Sequence, residues 1–234
     1  MKSYDVAIIG AGTAGLSARR EVAKVTDNYV VIDDGDLGTT CARVGCMPSK
    51  VLIQTANDFH RRKVFPELGI AGAEGLSLDV TAAMRHVRSL RDRFVRSVLA
   101  DMEPWSGKLI RRRAKFIDLH TLDLGDEQIR AERVVIATGT TPKVPKAWES
   151  LRHRLLDTDS LFEQQTLPKR MAVVGLGVIG LEIGQALSRW GIDVTAWTDA
   201  KALGGLSDPE LQEYAFSWFS KAIPIHLGRV SLLE

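Results

Sequence analysis

Short apolar runs in this chain alternate with segments in which apolar residues recur every three or four positions. Residues 4–9, apolar apart from Asp5, and the apolar run at residues 29–32 predict buried strands, and residues 16–25 between them predict a helix. The same order recurs at residues 171–174, 181–189 and 193–197. A strand–helix–strand order is typical of parallel sheets covered by helices. The pattern therefore predicts an α/β fold with two Rossmann-like units.

The region between these units combines helical and short-strand patterns. Residues 51–63 and 78–102 predict helices, and residues 66–76 predict a loop. The long helix has an apolar stripe formed by Val87, Leu90, Phe94, Val98 and Met102. Short strands are predicted at residues 114–118, 121–124, 128–131 and 133–137. They indicate a small antiparallel β-meander that returns to the parallel sheet, followed by a linker at residues 140–148.

A glycine-rich turn follows the first predicted strand. Its Gly-x-Gly-x-x-Gly pattern has Gly10, Gly12 and Gly15 as the three glycines, with Ala11, Thr13 and Ala14 at the intervening positions. Such a turn lets a pyrophosphate approach the backbone at a helix N-terminus, and an acid near the end of the next strand binds the ribose. Asp33 is the predicted ribose ligand and Asp34 its competitor. A purely structural turn is the alternative interpretation.

The second unit carries the same signal. Gly175, Gly177 and Gly180, with Val178 and Ile179 between them, follow the strand predicted at residues 171–174. Two such units in one chain indicate two nucleotides, of which one can be bound permanently and the other exchanged.

Composition narrows the class of protein. The chain has 234 residues, 45% of them hydrophobic and 26% charged, with a formal net charge of +2. This near-balance argues against a dedicated nucleic-acid-binding protein. No apolar run approaches the ~20 residues that span a bilayer, and no signal-peptide pattern is recognisable, so we expect no membrane partner and a cytoplasmic location.

Cys41 and Cys46 are the only two cysteines. In a straight helix, Cα atoms five residues apart are roughly 8.6 Å from each other, beyond the ~7 Å limit for a disulfide. A Cys41–Cys46 disulfide therefore requires a departure from helix, which Gly45 and Pro48 favour. A reversible disulfide is a better interpretation than zinc, since the five histidines are scattered and we expect no metal site. Two buried, reduced cysteines remain the alternative.

Four motifs in this order resemble a known family. They are the first glycine turn, Gly38-Thr39-Thr40-Cys41-(x4)-Cys46-x-Pro48-Ser49-Lys50, Ala137-Thr138-Gly139, and Gly175-x-Gly177-x-x-Gly180-x-Glu182. They resemble the flavin-dependent pyridine nucleotide–disulfide oxidoreductases, most closely the dihydrolipoamide dehydrogenase branch. The resemblance covers essentially the whole chain.

The resemblance implies a role for each motif. FAD would lie along the first unit, with its ribose on Asp33 and its adenine near Ala114; Cys46 would be the flavin-side thiol, and Cys41 the thiol that exchanges with substrate. NAD(P)H would bind the second unit. Lys50, near the flavin, would pair with Glu182 at the nicotinamide site, although a surface lysine and a first-turn acid are the structural alternative. The remaining cofactor-binding positions implied are Gly38, Thr40, Ala137, Thr138, Gly139, Thr198 and Asp199.

Departures from the family pattern leave two points open. Thr39 stands where the family usually has a second glycine. At the end of the second unit's second strand, Thr198 and Asp199 replace the usual glutamate of NAD-preferring members, and no arginine stands between Trp197 and Leu206. We expect NAD rather than NADP, with Lys201 as the residue that could reverse this preference.

Family members run to roughly twice this length. We therefore expect residues 1–147 to form the FAD-binding domain and residues 148–234 an incomplete NAD(P)-binding domain, with the C-terminal dimerisation domain of a homodimer absent. The expected substrate is a small-molecule or lipoyl-type disulfide or dithiol. The alternatives are a reductase of a glutathione-like disulfide or of mercuric ion, and a non-enzymatic flavin/thiol redox sensor.

Overall fold

The computed structural model describes residues 1–199, 203–228 and 230. The strands are β1 (Lys2–Ile9), β2 (Tyr29–Ile32), β3 (Leu109–Ile110), β4 (Lys115–Phe116), β5 (Thr121–Asp123), β6 (Gln128–Ile136), β7 (Arg170–Val174), β8 (Asp193–Thr198) and β9 (Ile225–Leu227). The α-helices are α1 (Thr13–Val22), α2 (Thr40–Arg43), α3 (Cys46–His60), α4 (Val80–Met102), α5 (Thr158–Leu161), α6 (Val178–Arg189) and α7 (Pro209–Ser220). Short 3-10 helices lie at Arg61–Val64, Pro66–Leu68, Ala73–Gly75, Glu103–Lys108, Lys146–Arg154 and Leu203–Gly205.

The first compact unit consists of residues 1–47 and 91–143. Its sheet has the order β3-β2-β1-β6-β5-β4. Strands β3, β2, β1 and β6 are parallel, whereas β5 and β4 continue from β6 in antiparallel pairing. The α/β class and the antiparallel meander predicted from the sequence are therefore confirmed.

The two faces of this sheet pack against different parts of the chain. Val6, Ile8 and Val31 lie on the face that packs against α1 and against Met102 and Trp105. On the other face, Ala7, Val30 and Ile32 pack against apolar side chains of the meander, Leu122, Leu124, Ile129 and Ala131. Because side chains alternate along a strand, neighbouring apolar residues fill two separate cores.

The second compact unit consists of residues 48–90 and 144–234. Its described strands form a parallel sheet with the order β7-β8-β9. Val194 and Ala196 of β8 lie in one core with Ile183 and Leu187 of α6. Helices α3 and α4 contribute further buried side chains to this core, namely Leu52, Ala56, Ala83, Met84 and Val87.

The boundary of the units differs from the predicted domain boundary. The sequence assigned residues 48–90 to the first domain, whereas in the structure they pack with the second unit. Leu52 and Met84 are fully buried in the core that includes α6 and β8, so hydrophobic contact rather than chain order decides the division.

Several element boundaries also differ. Helix α1 begins at Thr13, with Gly12 as its N-cap, so the last three residues of the glycine turn belong to the first helical turn. Strand β6 is continuous where two strands were predicted. Helix α7 and strand β9 were not predicted. Within the described residues, no helix is both long and apolar enough to span a membrane.

Candidate active site

The first glycine turn is built by close backbone contacts. Gly10 has φ +109°, and its N–H donates to the Ile32 carbonyl oxygen at 2.8 Å. A Cβ on Gly15 would lie 1.8 Å from the Gly10 carbonyl oxygen, whereas a Cβ on Gly12 would meet no atom within 4 Å. Gly10 and Gly15 are therefore needed for the fold, and Gly12 leaves open space at the N-terminus of α1. This open cradle fits a pyrophosphate.

Asp33 lies against this turn. Its Oδ2 accepts a hydrogen bond from the Ala11 N–H at 2.6 Å, and its Oδ1 accepts one from the Gly35 N–H at 2.7 Å. Asp34 is exposed. The geometry favours Asp33 over Asp34 as the ribose ligand, although that role stays a prediction.

Arg111 was not identified from the sequence. Its Nη1 lies 3.7 Å from Asp33 Oδ1, and it also donates to the Gly35 carbonyl oxygen. The run Arg111–Arg113 gives no local signal for this contact, because it depends on the pairing of β3 with β2.

The Ala137-Thr138-Gly139 segment borders the same turn. The Ala137 N–H donates to the Ile9 carbonyl oxygen at 2.8 Å, and a Cβ on Gly10 would lie 2.2 Å from the Ala137 carbonyl oxygen. Gly139 has φ +68°. Ala114 lies between β3 and β4, partly buried against the meander-side core. The structure thus brings the Ala137 segment to the glycine turn.

The cysteine stretch departs from helix as predicted. Cys41 lies in α2, the chain is non-helical at Val44 and Gly45, and α3 begins at Cys46. A Cβ on Gly45 would lie 3.1 Å from the Thr40 carbonyl oxygen and 3.3 Å from the Cys41 Cα. Glycine at this position allows the loop between the cysteines to close tightly.

The two cysteines interact without being bridged. Cys41 is partly buried and Cys46 is exposed. Burial raises the pKa of the Cys41 thiol, and its hydrogen bond to Cys46 and the negative charge of Cys46 raise it further, whereas hydrogen bonds from the backbone N–H groups of Cys46 and Met47 lower it. The Cys41 sulfur therefore lies at the N-terminus of α3, within hydrogen-bond reach of Cys46.

Thr39 precedes this pair in a conformation typical of glycine. Its φ is 65° and its ψ 145°, and it is the only non-glycine residue with positive φ among those the structure describes. Its Oγ1 accepts a hydrogen bond from the Ala42 N–H at 3.1 Å and caps α2. Gly38, at φ +111°, and Thr40, the first residue of α2, flank it.

The second glycine turn repeats the geometry of the first. Gly175 has φ +90°, and its N–H donates to the Trp197 carbonyl oxygen at 2.8 Å. A Cβ on Gly180 would lie 1.9 Å from the Gly175 carbonyl oxygen, and one on Gly177 would meet nothing within 4 Å. The second and third glycines are therefore alike in both units, and both first glycines have positive φ, but only Gly10 is also confined by a neighbouring backbone, since a Cβ on Gly175 would meet no atom within 4 Å.

Apolar residues near this turn are exposed. Val178 and Ile179, in the first turn of α6, are 59% and 61% exposed. Thr198 ends β8 and Asp199 follows it. Lys201 lies outside the described residues.

Lys50 and Glu182 meet, although 132 positions separate them. The Lys50 Nζ donates to Glu182 Oε1 at 2.6 Å, and both residues belong to the second unit. Their side chains are 59% and 37% exposed, so the pair contributes at most about 1 kcal/mol to stability. Together with Asn57 and Arg189 they line a cavity of about 250 Å³. The predicted pairing is confirmed, and its role stays a prediction.

The part of the chain that the structure describes contains no group of three or more His, Cys, Asp or Glu side chains that could hold a metal ion.

Comparisons with known proteins agree with this geometry. Residues 4–230 match the family described as pyridine nucleotide-disulphide oxidoreductase. A mercuric reductase from Lysinibacillus sphaericus is 31% identical over 214 residues, covering 90% of this chain and 39% of the relative. A soluble pyridine nucleotide transhydrogenase from Mycobacterium tuberculosis is 30% identical over 224 residues, covering 91% of this chain and 47% of the relative.

A solved structure shows the same fold. The HOCl-induced flavoprotein disulfide reductase RclA from Escherichia coli aligns with a TM-score of 0.78 at 22% identity, over 97% of this chain and 50% of that chain. This chain therefore spans about two-fifths to one half of the length of these proteins. The matched family is FAD-dependent, with NAD(P)H as the electron donor. From the two glycine cradles, the interacting cysteines and the family match over residues 4–230, we conclude that this chain belongs to the pyridine nucleotide–disulphide oxidoreductase family.

Proposed function

We propose that the protein passes electrons from NAD(P)H, by way of bound FAD, to a Cys41–Cys46 disulfide and then to a disulfide substrate. The observation that carries this proposal is the interaction of Cys41 with Cys46 across the break between α2 and α3. In a reducing compartment, such a closely spaced pair is a transient, catalytic disulfide rather than a structural one. We further propose a cytoplasmic location and a homodimeric whole protein.

The first unit has the features needed to hold FAD. The pyrophosphate would contact the N-terminus of α1 at Gly12, and Asp33 would bind the ribose. Ala137, Thr138 and Gly139 border the same cradle. FAD supplies a two-electron relay between a nicotinamide and a thiol pair, while the protein supplies binding and orientation.

The cysteines have distinct roles in this proposal. Two electrons and two protons convert the disulfide into two thiols. The Cys41 thiolate attacks a substrate disulfide, releasing one substrate thiol and forming a mixed disulfide. Cys46 then attacks the Cys41 sulfur, releases the second substrate thiol and restores the Cys41–Cys46 disulfide. The exposure of Cys46 is compatible with its role as the flavin-side thiol.

The second unit would bind the pyridine nucleotide. Its turn at Gly175, Gly177 and Gly180 would hold the pyrophosphate, and the Lys50–Glu182 pair would lie at the nicotinamide. We propose NAD as the preferred nucleotide. A lipoyl-type disulfide or the corresponding dithiol, as in dihydrolipoamide dehydrogenase, is the proposed substrate.

Mercuric ion is the second candidate acceptor. The match to mercuric reductase at 31% identity favours it, and a closely spaced thiol pair suits a soft divalent cation. Two electrons would then reduce the bound ion and leave the thiols unoxidised.

Anaerobic titration of the FAD-loaded chain with NADH or NADPH tests the proposal. We expect uptake of two electrons beyond those that the flavin accepts, with a long-wavelength charge-transfer absorbance. Cys46→Ser should abolish this absorbance and Cys41→Ser should retain it. Loss of the band in Cys41→Ser alone would reverse the two roles. A thiol pair that reacts with oxidants but receives no electrons from a pyridine nucleotide would instead identify a redox sensor.

Parallel assays with lipoamide, oxidised glutathione and mercuric ion compare the acceptors. Turnover with mercuric ion and none with either disulfide would replace the lipoyl-type substrate by the second candidate.

A further inference from the structure

Arg91 is a buried cation in the first unit, outside the cofactor and thiol motifs. It lies in α4 and is only 8% exposed. Its Nε donates to Asp92 Oδ1 at 2.6 Å, and this ion pair offsets part of the cost of burying the charge. Because such burial is costly, the guanidinium position is well determined by its partners.

The guanidinium of Arg91 also contacts the segment between the two cysteines, at the end of α2. Its Nη1 donates to the Arg43 carbonyl oxygen at 3.4 Å, at the long end of the hydrogen-bond range. Arg43 is the last residue of α2, where carbonyl groups have no partner within the helix. Arg91 therefore binds the chain at the point where α2 ends and the non-helical Val44–Gly45 step begins.

Two further contacts involve the residues that precede Cys41. A Cβ on Gly38 would lie 2.8 Å from Cγ1 of Val95, which is one helical turn beyond Arg91. The Arg43 side chain donates to Asp36 Oδ2 at 2.7 Å and to the Asp36 carbonyl oxygen at 3.2 Å. Helix α4 therefore contacts the cysteine stretch both before Cys41 and between the two cysteines.

We propose that Arg91 is a positioning residue for the Cys41–Cys46 couple, acting by holding the Arg43 carbonyl at the end of α2. This inference rests on the proposed redox function of the two cysteines. An uninterrupted helix would separate their Cα atoms by roughly 8.6 Å, too far for a disulfide. Holding the end of α2 keeps the chain in the interrupted conformation and so favours the disulfide over the dithiol.

The thiol–disulfide equilibrium of the chain with glutathione tests this role. Each exchange oxidises the two protein thiols to a disulfide and reduces one oxidised glutathione to two thiols. The fraction of Cys41–Cys46 disulfide is measured by alkylation and mass spectrometry over a series of glutathione ratios. For Arg91→Met, we expect an equilibrium constant about tenfold less favourable to the disulfide, equivalent to about 30 mV.

Arg93→Met is the matched control, because Arg93 is an exposed arginine on the same helix. It should change the constant by less than about twofold, the scale of a surface substitution. Circular dichroism establishes that each variant is folded. Should Arg91→Met fail to fold, Arg91→Lys replaces it, since lysine keeps the positive charge but lacks the planar guanidinium group and its several N–H donors. We expect a smaller loss of the same sign for Arg91→Lys.

A folded Arg91→Met chain with the parent constant would overturn the inference, as would an unchanged constant in Arg91→Lys when that variant is used. An equal loss in Arg93→Met would also overturn it. The proposed function fails separately if the unsubstituted chain forms no Cys41–Cys46 disulfide at any glutathione ratio.

Discussion

At the scale of single residues, the backbone at Thr39 combines strain with a helix cap. A φ of 65° with a ψ of 145° lies in a region that is essentially restricted to glycine, at a cost of about 1–3 kcal/mol. The hydrogen bond from the Ala42 N–H to Oγ1 recovers part of that cost. Thr39 stands where the family resemblance places a glycine, so the strain follows directly from this departure.

We expect Thr39→Gly to stabilise the chain by about 1 kcal/mol. Glycine relieves the strain, and replacing an N-cap threonine by glycine costs only a few tenths of a kcal/mol. Urea denaturation measures the change. Thr39→Ala is the matched control and should be destabilising, because it loses the cap and keeps the strain. A less stable Thr39→Gly chain would contradict the strain argument.

The pKa of the Cys41 thiol depends on burial and, in part, on Cys46. Burial raises its pKa, and so do the hydrogen bond and charge of Cys46. Cys46→Ala removes the last two causes, so the Cys41 pKa should fall and its thiolate should form at lower pH. Alkylation of Cys41 across a pH series should therefore have a lower midpoint in Cys46→Ala than in the unsubstituted chain. A midpoint that rises or stays the same would contradict the expectation that Cys46 raises the pKa of Cys41.

At the scale of elements, the second and third glycines have the same backbone contacts in both glycine turns. In each, the third glycine allows the helix to approach the carbonyl oxygen of the first glycine. A Cβ would lie 1.8 Å from that oxygen if added to Gly15, and 1.9 Å from it if added to Gly180. The second glycine in each turn has no such contact. Close backbone packing therefore explains the third glycine, and for the second we propose that its open space admits a ligand.

Alanine substitutions in the first turn should separate these two roles. Gly15→Ala forces a methyl group against a backbone carbonyl, and we expect it to destabilise the chain by more than about 3 kcal/mol. Gly12→Ala should cost about 1 kcal/mol or less, as a poorer N-cap, yet strongly weaken FAD binding. Urea denaturation and retained flavin absorbance measure the two effects. A folded Gly12→Ala chain that binds FAD as the parent does would argue against a pyrophosphate at this position.

At the scale of the whole molecule, the packing does not follow chain order. Residues 48–90 share a core with residues 144–234; two of the three unit boundaries fall within α3 and α4, and the third follows β6. Leu52 and Met84 have no exposed surface. Their apolar contacts therefore contribute to the stability of the second unit, although Leu52 precedes its first strand by 118 residues and Met84 precedes it by 86.

Two matched core truncations test this division. Leu52→Ala should cost about 2–5 kcal/mol and reduce amide hydrogen-exchange protection in β7 and β8 more than in β1 and β2. Leu122→Ala, also fully buried, should have the reverse pattern because it lies in the first unit. Equal loss of protection in both sheets for either variant would show that the two units do not unfold separately.

The sequence by itself was sufficient to predict the two βαβ units, both glycine turns and the interruption between Cys41 and Cys46. These features depend on residues within a few positions of one another, so periodicity and glycine spacing reveal them. The Lys50–Glu182 pair was predicted only through the family resemblance. Tertiary structure alone decided the packing of residues 48–90, the contact of Arg111 with Asp33 and that of Arg91 with Arg43. Each of these joins segments far apart in the chain, where burial and strand pairing, rather than local pattern, determine which groups meet.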